Sequence, residues 1–502
     1  MDVLSNLALG FGVALTLKNL AYCFLGVFLG TLIGVLPGIG PLVTIAMLLP
    51  ITFGLDPVSS LIMLAGIFYG AQYGGSTTAI LVNMPGEVSS AVTAIDGYQM
   101  ARQGRAGPAL ATAAMASFVG GILSTLLVAF FGPLVGRWAL EFGAAEYFSL
   151  MLMGLVFSAV LSHGDLVKAL AMVAIGLLLG IVGTDVTSGL PRFSFGIPEL
   201  LDGVGFTVVA VGLFAVSEIV LNLARNEKVE VFAKDVKNLM PTWADMKAAA
   251  MPTLRGTALG SFFGALPGIT ASVAAFSAYM LEKKLAKDPS RFGHGAIEGV
   301  AAPEAANNAA AQTHFIPTLT LGIPASAVMA LMLGALTMQG IQPGPQVMTS
   351  KPELFWGLVA SMFVGNTLLL ILNLPLVGLW ARLTQVPYRW LFPAILVFAC
   401  VGNFSLNNSA MDVYLCAGIG VLGYVFAKLD CQPAPLILGY VLGPMLEENL
   451  RRALLMSEGS FAVFVTRPIS LAFLVVTALI LLAMVLPGLR RRRESAVEAS
   501  AG

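Results

Sequence analysis

Charge is what this sequence has least of. Only 11% of its 502 residues are charged, 57% are hydrophobic, and the mean hydropathy is +0.88. A soluble domain carries roughly 25% charged residues, so a water-facing surface of this size could not be coated, and a large soluble protein is excluded. The 27 basic and 27 acidic residues cancel. No net field and no basic-aromatic patch is left to attract nucleic acid. The four cysteines, Cys23, Cys400, Cys416 and Cys431, are scattered and mostly lie inside apolar runs. They read as small hydrophobic residues, not as a disulfide or metal set. His163, His294 and His314 show no ligand spacing with them. There is no GxxxxGK[ST], HExxH or GxSxG motif, so no ATP site or hydrolase signature is recognisable. The N-terminus has no basic region ahead of a cleavage site, and no removed signal peptide is expected.

Hydrophobic runs are abundant. About 20 apolar residues span a bilayer as a helix. Continuous runs lie near 108–133, 145–161, 166–184, 203–223, 354–376, 411–427 and 469–486. Others, at 20–53, 58–85, 252–281, 303–342 and 433–446, are interrupted by Pro and Gly. The expected fold is an all-α polytopic membrane protein of about a dozen hydrophobic segments. Basic residues mark cytoplasmic loops: Lys228, Lys234 and Lys237 in one loop, Lys283, Lys284, Lys287 and Arg291 in another, and Arg490 to Arg493 in the tail. The 252–281 segment has basic flanks on both sides and Leu266-Pro267-Gly268-Ile269 at its centre. Each half looks too short to cross, which predicts a re-entrant hairpin with Lys247 and Lys283 on the cytoplasmic face.

The chain repeats itself. GTLIGVLPGI at 30–39 and GSFFGALPGI at 260–269 share six of ten positions at an offset of 230. A looser match pairs 74–87 with 313–326, bringing Pro85 against Pro324 at an offset of 239. Interrupted segments in matching places of two halves point to a transporter binding site, often between inverted repeats. The predicted division is 1–224 as an N-terminal membrane repeat, 225–251 as a basic cytoplasmic linker, 252–488 as a C-terminal repeat and 489–502 as a cytoplasmic tail.

Polar residues inside these segments are the candidate site. Gly70 to Thr78 reads GAQYGGSTT between apolar flanks. Glycines let a ligand approach the backbone, and N–H groups at a helix start with hydroxyls bind anions; a tight helix crossing with back-bonded hydroxyls is the plain alternative. Pro303-Glu304-Ala305-Ala306-Asn307-Asn308 runs toward Thr313 and Thr318, and buried Asn is costly unless paired or wetted; a loop before a helix near Ala309 is the alternative. The predicted substrate wall is Gly74, Gly75, Ser76, Thr77, Thr78 and Asn83 on one side and Asn307, Asn308 and Thr313 on the other. Gly38, Gly268, Glu304, Asn307 and Thr318 are the predicted cation set, since broken-helix carbonyls can hold Na⁺. Asn403, Ser405, Asn407, Asn408 and Asp412 read as an interfacial loop, and Glu447, Glu448, Arg451 and Arg452 as a loop ion-pair cluster. An ion channel with re-entrant pore loops, or an intramembrane enzyme, would share some of these features, although no base sits beside Ser76 in sequence.

These blocks together resemble the large membrane subunit of the tripartite tricarboxylate transporters. The likeness is carried by GVLPGIGP (34–41), YGAQYGGSTTAILVNMPGE (69–87), DGYQMARQGRAG (96–107), GALPGI (264–269), PEAANNAAA (303–311), GNFSLNN (402–408), PLILGYVLGPMLEENLRR (435–452) and TRPIS (466–470). The resemblance implies import of tricarboxylates or related carboxylates across a bacterial inner membrane. It implies capture by a periplasmic solute-binding protein, a companion membrane subunit of about four helices, and secondary transport driven by a Na⁺ or H⁺ gradient. It implies no enzymatic activity and no cofactor beyond a possible Na⁺.

Overall fold

In the computed structural model the described residues are 3–36, 40–162, 165–185, 187–224, 239–383 and 392–485. Gly38, the segment 225–238 and the tail from 486 lie outside them. Among the described residues the regular structure is helical, apart from a two-stranded hairpin, β1 (Gly183–Thr184) with β2 (Pro191–Arg192). The principal helices are α1 (Val3–Ala14), α2 (Leu17–Gly34), α3 (Pro41–Phe53), α4 (Pro57–Val82), α5 (Ala91–Arg102), α6 (Ala106–Ala139), α7 (Ala144–Leu161), α8 (Leu166–Gly180), α9 (Phe206–Leu223), α10 (Trp243–Gly264), α11 (Ala271–Leu285), α12 (Glu298–Thr313), α13 (Ala327–Met338), α14 (Pro352–Asn373), α15 (Phe392–Asn407), α16 (Ala410–Lys428), α17 (Pro433–Met456) and α18 (Pro468–Val485). Six of them, α2, α6, α7, α9, α14 and α16, are long and apolar enough to cross a membrane. The fold is an all-α polytopic membrane architecture.

Local chemistry sets the helix starts. Asp56 accepts a hydrogen bond from the Ser59 N–H and Pro57 occupies the first turn of α4. Thr242 and Asp245 form a reciprocal capping box on α10. The break between α10 and α11 falls at Leu266-Pro267-Gly268-Ile269, as the sequence predicts, with Gly268 at φ 81° in the left-handed region that glycine tolerates. α10 begins at Trp243, however, so it is 22 residues long, or about 33 Å. The expectation that this half is too short to cross is therefore not met in length; only its polar first two turns shorten the apolar part.

Four other expectations are corrected. The segment 58–85 is not broken: α4 runs unbroken from Pro57 to Val82. The segment 433–446 is not broken either, since Pro444 sits within continuous α17. Its acidic and basic residues lie on that helix as i,i+4 pairs, Glu447 with Arg451 and Glu448 with Arg452, not in a loop. Asn403 is likewise no loop residue; it is buried in α15, its amide donating to the Ala399 carbonyl.

Why α4 survives its glycines is a matter of packing. Gly66, Gly70 and Gly74 share one helix face and meet α2 backbone to backbone. A Cβ on Gly70 would lie 2.5 Å from the Val27 carbonyl oxygen. The reciprocal face of α2 uses Gly26, Gly30 and Gly34 against Met63, Ile67 and Ala71. In the second half Gly256, Gly260 and Gly264 of α10 meet Ala302, Ala306 and Ala310 of α12 in the same way. Both offsets read from the sequence, 230 and 239, recur as one contact pattern. Small residues at these positions let helices approach without a hydrophobic force between them. The halves also exchange partners: α6 packs on α12 and α10, and α14 packs on α4 and α2.

Candidate functional site

α12 is the polar centre of the molecule. Every residue from Gly299 to Thr313 is buried, so Glu304, Asn307, Asn308 and Gln312 form a polar strip with no bulk water around it. Pro303 lies in the second turn of the helix, and no loop precedes Ala309. Such residues inside a membrane protein are expensive and are kept for function.

Glu304 is 1% exposed. The Ser76 hydroxyl of α4 donates to its Oε1 at 2.7 Å, and the Thr93 hydroxyl of α5 donates to the same oxygen. The Ser117 hydroxyl of α6 donates to Oε2 at 3.0 Å. Asn308 Nδ2 donates in turn to Ser117 Oγ at 2.7 Å. Four helices thus converge on one carboxylate. Beside it, Asn307 and Gln72 flank the Glu87 carboxyl, and the Ser89 hydroxyl donates to Gln72 Oε1 at 3.3 Å.

Several buried polar atoms here have no hydrogen-bond partner among the described residues: Oδ1 of Asn307, Oδ1 of Asn308, both amide atoms of Gln312, and the Tyr69 and Tyr73 hydroxyls. A buried unpaired polar group costs about 1–3 kcal/mol. A cavity of about 20 Å³ lies beside Glu304, lined by Tyr73, Ser76, Thr77, Ser117, Glu304 and Asn373. That volume holds one water-sized body. It is far below the 300–1,000 Å³ of an ordinary small-molecule pocket.

The predicted residues divide accordingly. Ser76, Thr77, Glu304, Asn307 and Asn308 are brought together. Gly74 faces α2, where a Cβ would come within 2.6 Å of the Thr31 carbonyl oxygen, so it is a packing residue. Gly75 faces the loop at Glu87 and Ser90 with ordinary room, 3.4 Å. Since 70–78 is helix interior, it presents no helix-start N–H groups, and the backbone anion site expected there is not built. The hydroxyls of Thr77 and Thr78 reach back to Tyr73 and Gly75 carbonyls. Asn83 caps α4 in the left-handed region at φ 55° and is exposed. The Thr313 hydroxyl bonds back to the Ala309 carbonyl and packs on Gly264. Thr318, in the following turn Phe315–Thr320, bonds back to His314. Gly268, at the α10–α11 tip, donates its N–H to the Ala325 carbonyl. The cation set expected from sequence is therefore split along the molecule, with Glu304 and Asn307 at one place and Gly268 and Thr318 at another.

Thr93 and Ser117 were missed by sequence reasoning. Each is a small hydroxyl among apolar helix residues, and such residues usually back-bond to the preceding turn. Only the crossing of α5, α6 and α12 turns them toward Glu304. Among the described residues no group of three His, Cys, Asp or Glu side chains could hold a metal.

Away from the strip, charge is concentrated at the β1–β2 hairpin between α8 and α9. Asp185 receives the Ser188 hydroxyl at 2.7 Å and ion pairs from Arg192 at 2.8 Å and Arg451 at 3.1 Å. The Ser188 hydrogen bond foremost, and then the backbone N–H of Thr187 and the two arginines, hold its carboxyl well below the usual carboxylate range against the cost of partial burial. Arg192 and Arg451 both continue to Glu447 of α17.

The chain is 58% identical over 494 residues, 98% of either chain, to a 52.8 kDa protein in the TAR-I ttuC' 3' region of Agrobacterium vitis. It is 57% identical over 235 residues to a shorter protein of the TAR-II ttuC' 3' region of the same organism, covering 47% of this chain and 97% of that one. No solved structure matches it. The model of the tripartite tricarboxylate transporter TctA family matches residues 20–438, which include both glycine ladders and the whole polar strip of α12, and the chain belongs to that family.

Proposed function

We propose that this chain is the transport subunit that imports a tricarboxylate or related carboxylate across a bacterial inner membrane, loaded by a periplasmic solute-binding protein and paired with a small membrane subunit of about four helices. A Na⁺ or H⁺ gradient drives it. The observation that carries this reading is the buried strip of α12, whose Glu304 receives the Ser76 hydroxyl of α4 and whose Gln312 amide has no partner among the described residues. A carboxylate taken from water needs several donors. Gln312 Nε2 is an unspent donor, Asn307 lies beside the Glu87 carboxyl, and the Ser76 and Thr77 hydroxyls turn from Glu304 and the Tyr73 carbonyl to join them. Asn308 Nδ2 is already committed to Ser117. The substrate wall is accordingly side chains, not backbone. In this reading the repeats are inverted, the tail is cytoplasmic, and the β1–β2 hairpin with the end of α17 lies on the periplasmic side.

The test is reconstitution in vesicles. Saturable uptake should require the binding protein and the small subunit; equal saturable uptake by this chain alone would overturn the tripartite assignment. Gradient dissipation without saturation would favour the channel. For topology, Lys247→Cys and Lys283→Cys in a cysteine-free background should both react with an impermeant reagent from the cytoplasmic face. Labelling from opposite faces would mean that the α10–α11 hairpin crosses.

A further inference from the structure

We propose that Glu304, with the hydroxyls of Ser76, Thr93, Ser117 and Tyr73, is the seat of a single dehydrated Na⁺ ion that must bind before the carboxylate. The inference rests on the transport reading above and assigns its coupling ion.

Three observations carry it. First, Glu304 is fully enclosed, and among the described residues no Lys, Arg or His forms an ion pair with it. A buried carboxylate must be neutralised by a proton or a cation. Second, its surroundings are oxygen: two carboxylate oxygens and three hydroxyls already in contact. Oxygen donors of this kind suit a hard cation. Ser76 Oγ also lies 3.2 Å from the Gln72 carbonyl, so its proton has a second acceptor and its lone pair can turn to an ion. Third, Tyr73 is 4% exposed, its hydroxyl is without a partner, and it lines the same cavity of about 20 Å³ as Glu304, Ser76 and Ser117. A proton on Glu304 would leave that hydroxyl and that space unused. A bare Na⁺ fills both.

The order of binding follows from position. Ser76 belongs to both the cation seat and the substrate wall. An anionic substrate beside an uncompensated Glu304 meets like charge in a medium of low dielectric. With Na⁺ in place the repulsion is removed, so each ligand tightens the other, as linkage requires.

Two measurements test this. In detergent, with the complete complex and no substrate, NaCl should raise the melting temperature above that in matched choline chloride at several fixed pH values, and Glu304→Gln should abolish the difference. In vesicles carrying all three components, Ser117→Ala and Thr93→Ala should each raise the Na⁺ half-saturation of uptake about tenfold, the loss of one contact to a charged group. The carboxylate half-saturation, measured at saturating Na⁺, should move far less. Uptake driven by a pH gradient in Na⁺-free buffer at the wild-type rate would assign Glu304 to a proton and overturn the proposal. So would variants that shift carboxylate affinity but not Na⁺ dependence. Ser117→Ala removes one buried oxygen, so if Glu304→Gln fails to fold the test still stands. Na⁺ stabilisation without any carboxylate uptake would instead leave the seat intact and refute the transport assignment.

Discussion

At the α2–α4 interface Gly26, Gly30 and Gly34 meet Met63, Ile67 and Ala71, and at the α10–α12 interface Gly256, Gly260 and Gly264 meet Ala302, Ala306 and Ala310. The backbone packing is the same, yet the chemistry is not. At the 239-residue offset Glu304 stands where α4 has Ala65, Asn307 where it has Phe68, Asn308 where it has Tyr69, and Gln312 where it has Tyr73. One helix of the pair is an aromatic prop and the other is a polar strip. The duplicated feature is the glycine face, because close helix approach constrains it sterically. The opposite face is free to diverge, and the buried carboxylate and amides stand on one copy only.

The largest way to break this comparison is to fill the ladders. Gly30→Val and Gly260→Val would place carbon 2.3 Å from the Ile67 carbonyl oxygen and 2.2 Å from that of Ala306. Neither backbone can retreat, so each should cost about 3 kcal/mol, the upper end for overpacking. Loss of the monodisperse peak and of the melting transition would record it. Tolerance in only one half would end the equivalence. Gly75→Ala, whose methyl would meet Glu87 and Ser90 at an ordinary 3.4 Å, should fold normally in the same assay.

A finer test exchanges attention between Asn307 and Phe68. Asn307→Ala should raise the carboxylate half-saturation about tenfold, for a lost hydrogen bond of roughly 1.5 kcal/mol to a charged group, with a smaller change in melting than Phe68→Ala, because its amide touches only the Glu87 carboxyl. Phe68→Ala, at a site 2% exposed, should lose about 3–5 kcal/mol of stability and show no selective effect on affinity. If both variants lose stability alone, the strip is packing and the site lies elsewhere.

The smallest expected effect contrasts the strip with the charged hairpin. Asp185 is held below its unfolded value near 3.9. A depressed carboxylate stabilises fully above the unfolded value, and its contribution fades as pH falls below about 4 toward the lower folded value. Wild type and Asp185→Asn should therefore differ most in melting temperature near neutrality and converge below pH 4. A difference that persists unchanged into acid would mean that Asp185 acts through its shape and not its charge.

Much of this architecture is legible in the residues. Long uncharged runs leave only the membrane class, and the LPGI breaks and the two offsets are visible before any coordinates. Less legible was whether a glycine-rich stretch is broken or packed. GAQYGGSTT reads as an anion loop when taken alone, and becomes a straight helix only because α2 presents a matching glycine face. The hydroxyls of Thr93 and Ser117 were silent for the same kind of reason, since a Ser or Thr in an apolar helix gives no sign of which neighbour it meets.

The sequence by itself determined that the chain is helical and membrane-embedded, because hydropathy and charge scarcity are sums over residues and need no partner. It also determined where the backbone doubles back at 265–270, because Pro and Gly act locally. The tertiary structure alone decided which polar residues meet. Glu304, Ser76, Thr93 and Ser117 come from helices spread over more than two hundred residues. Their convergence depends on crossings that small residues permit and that no local pattern encodes.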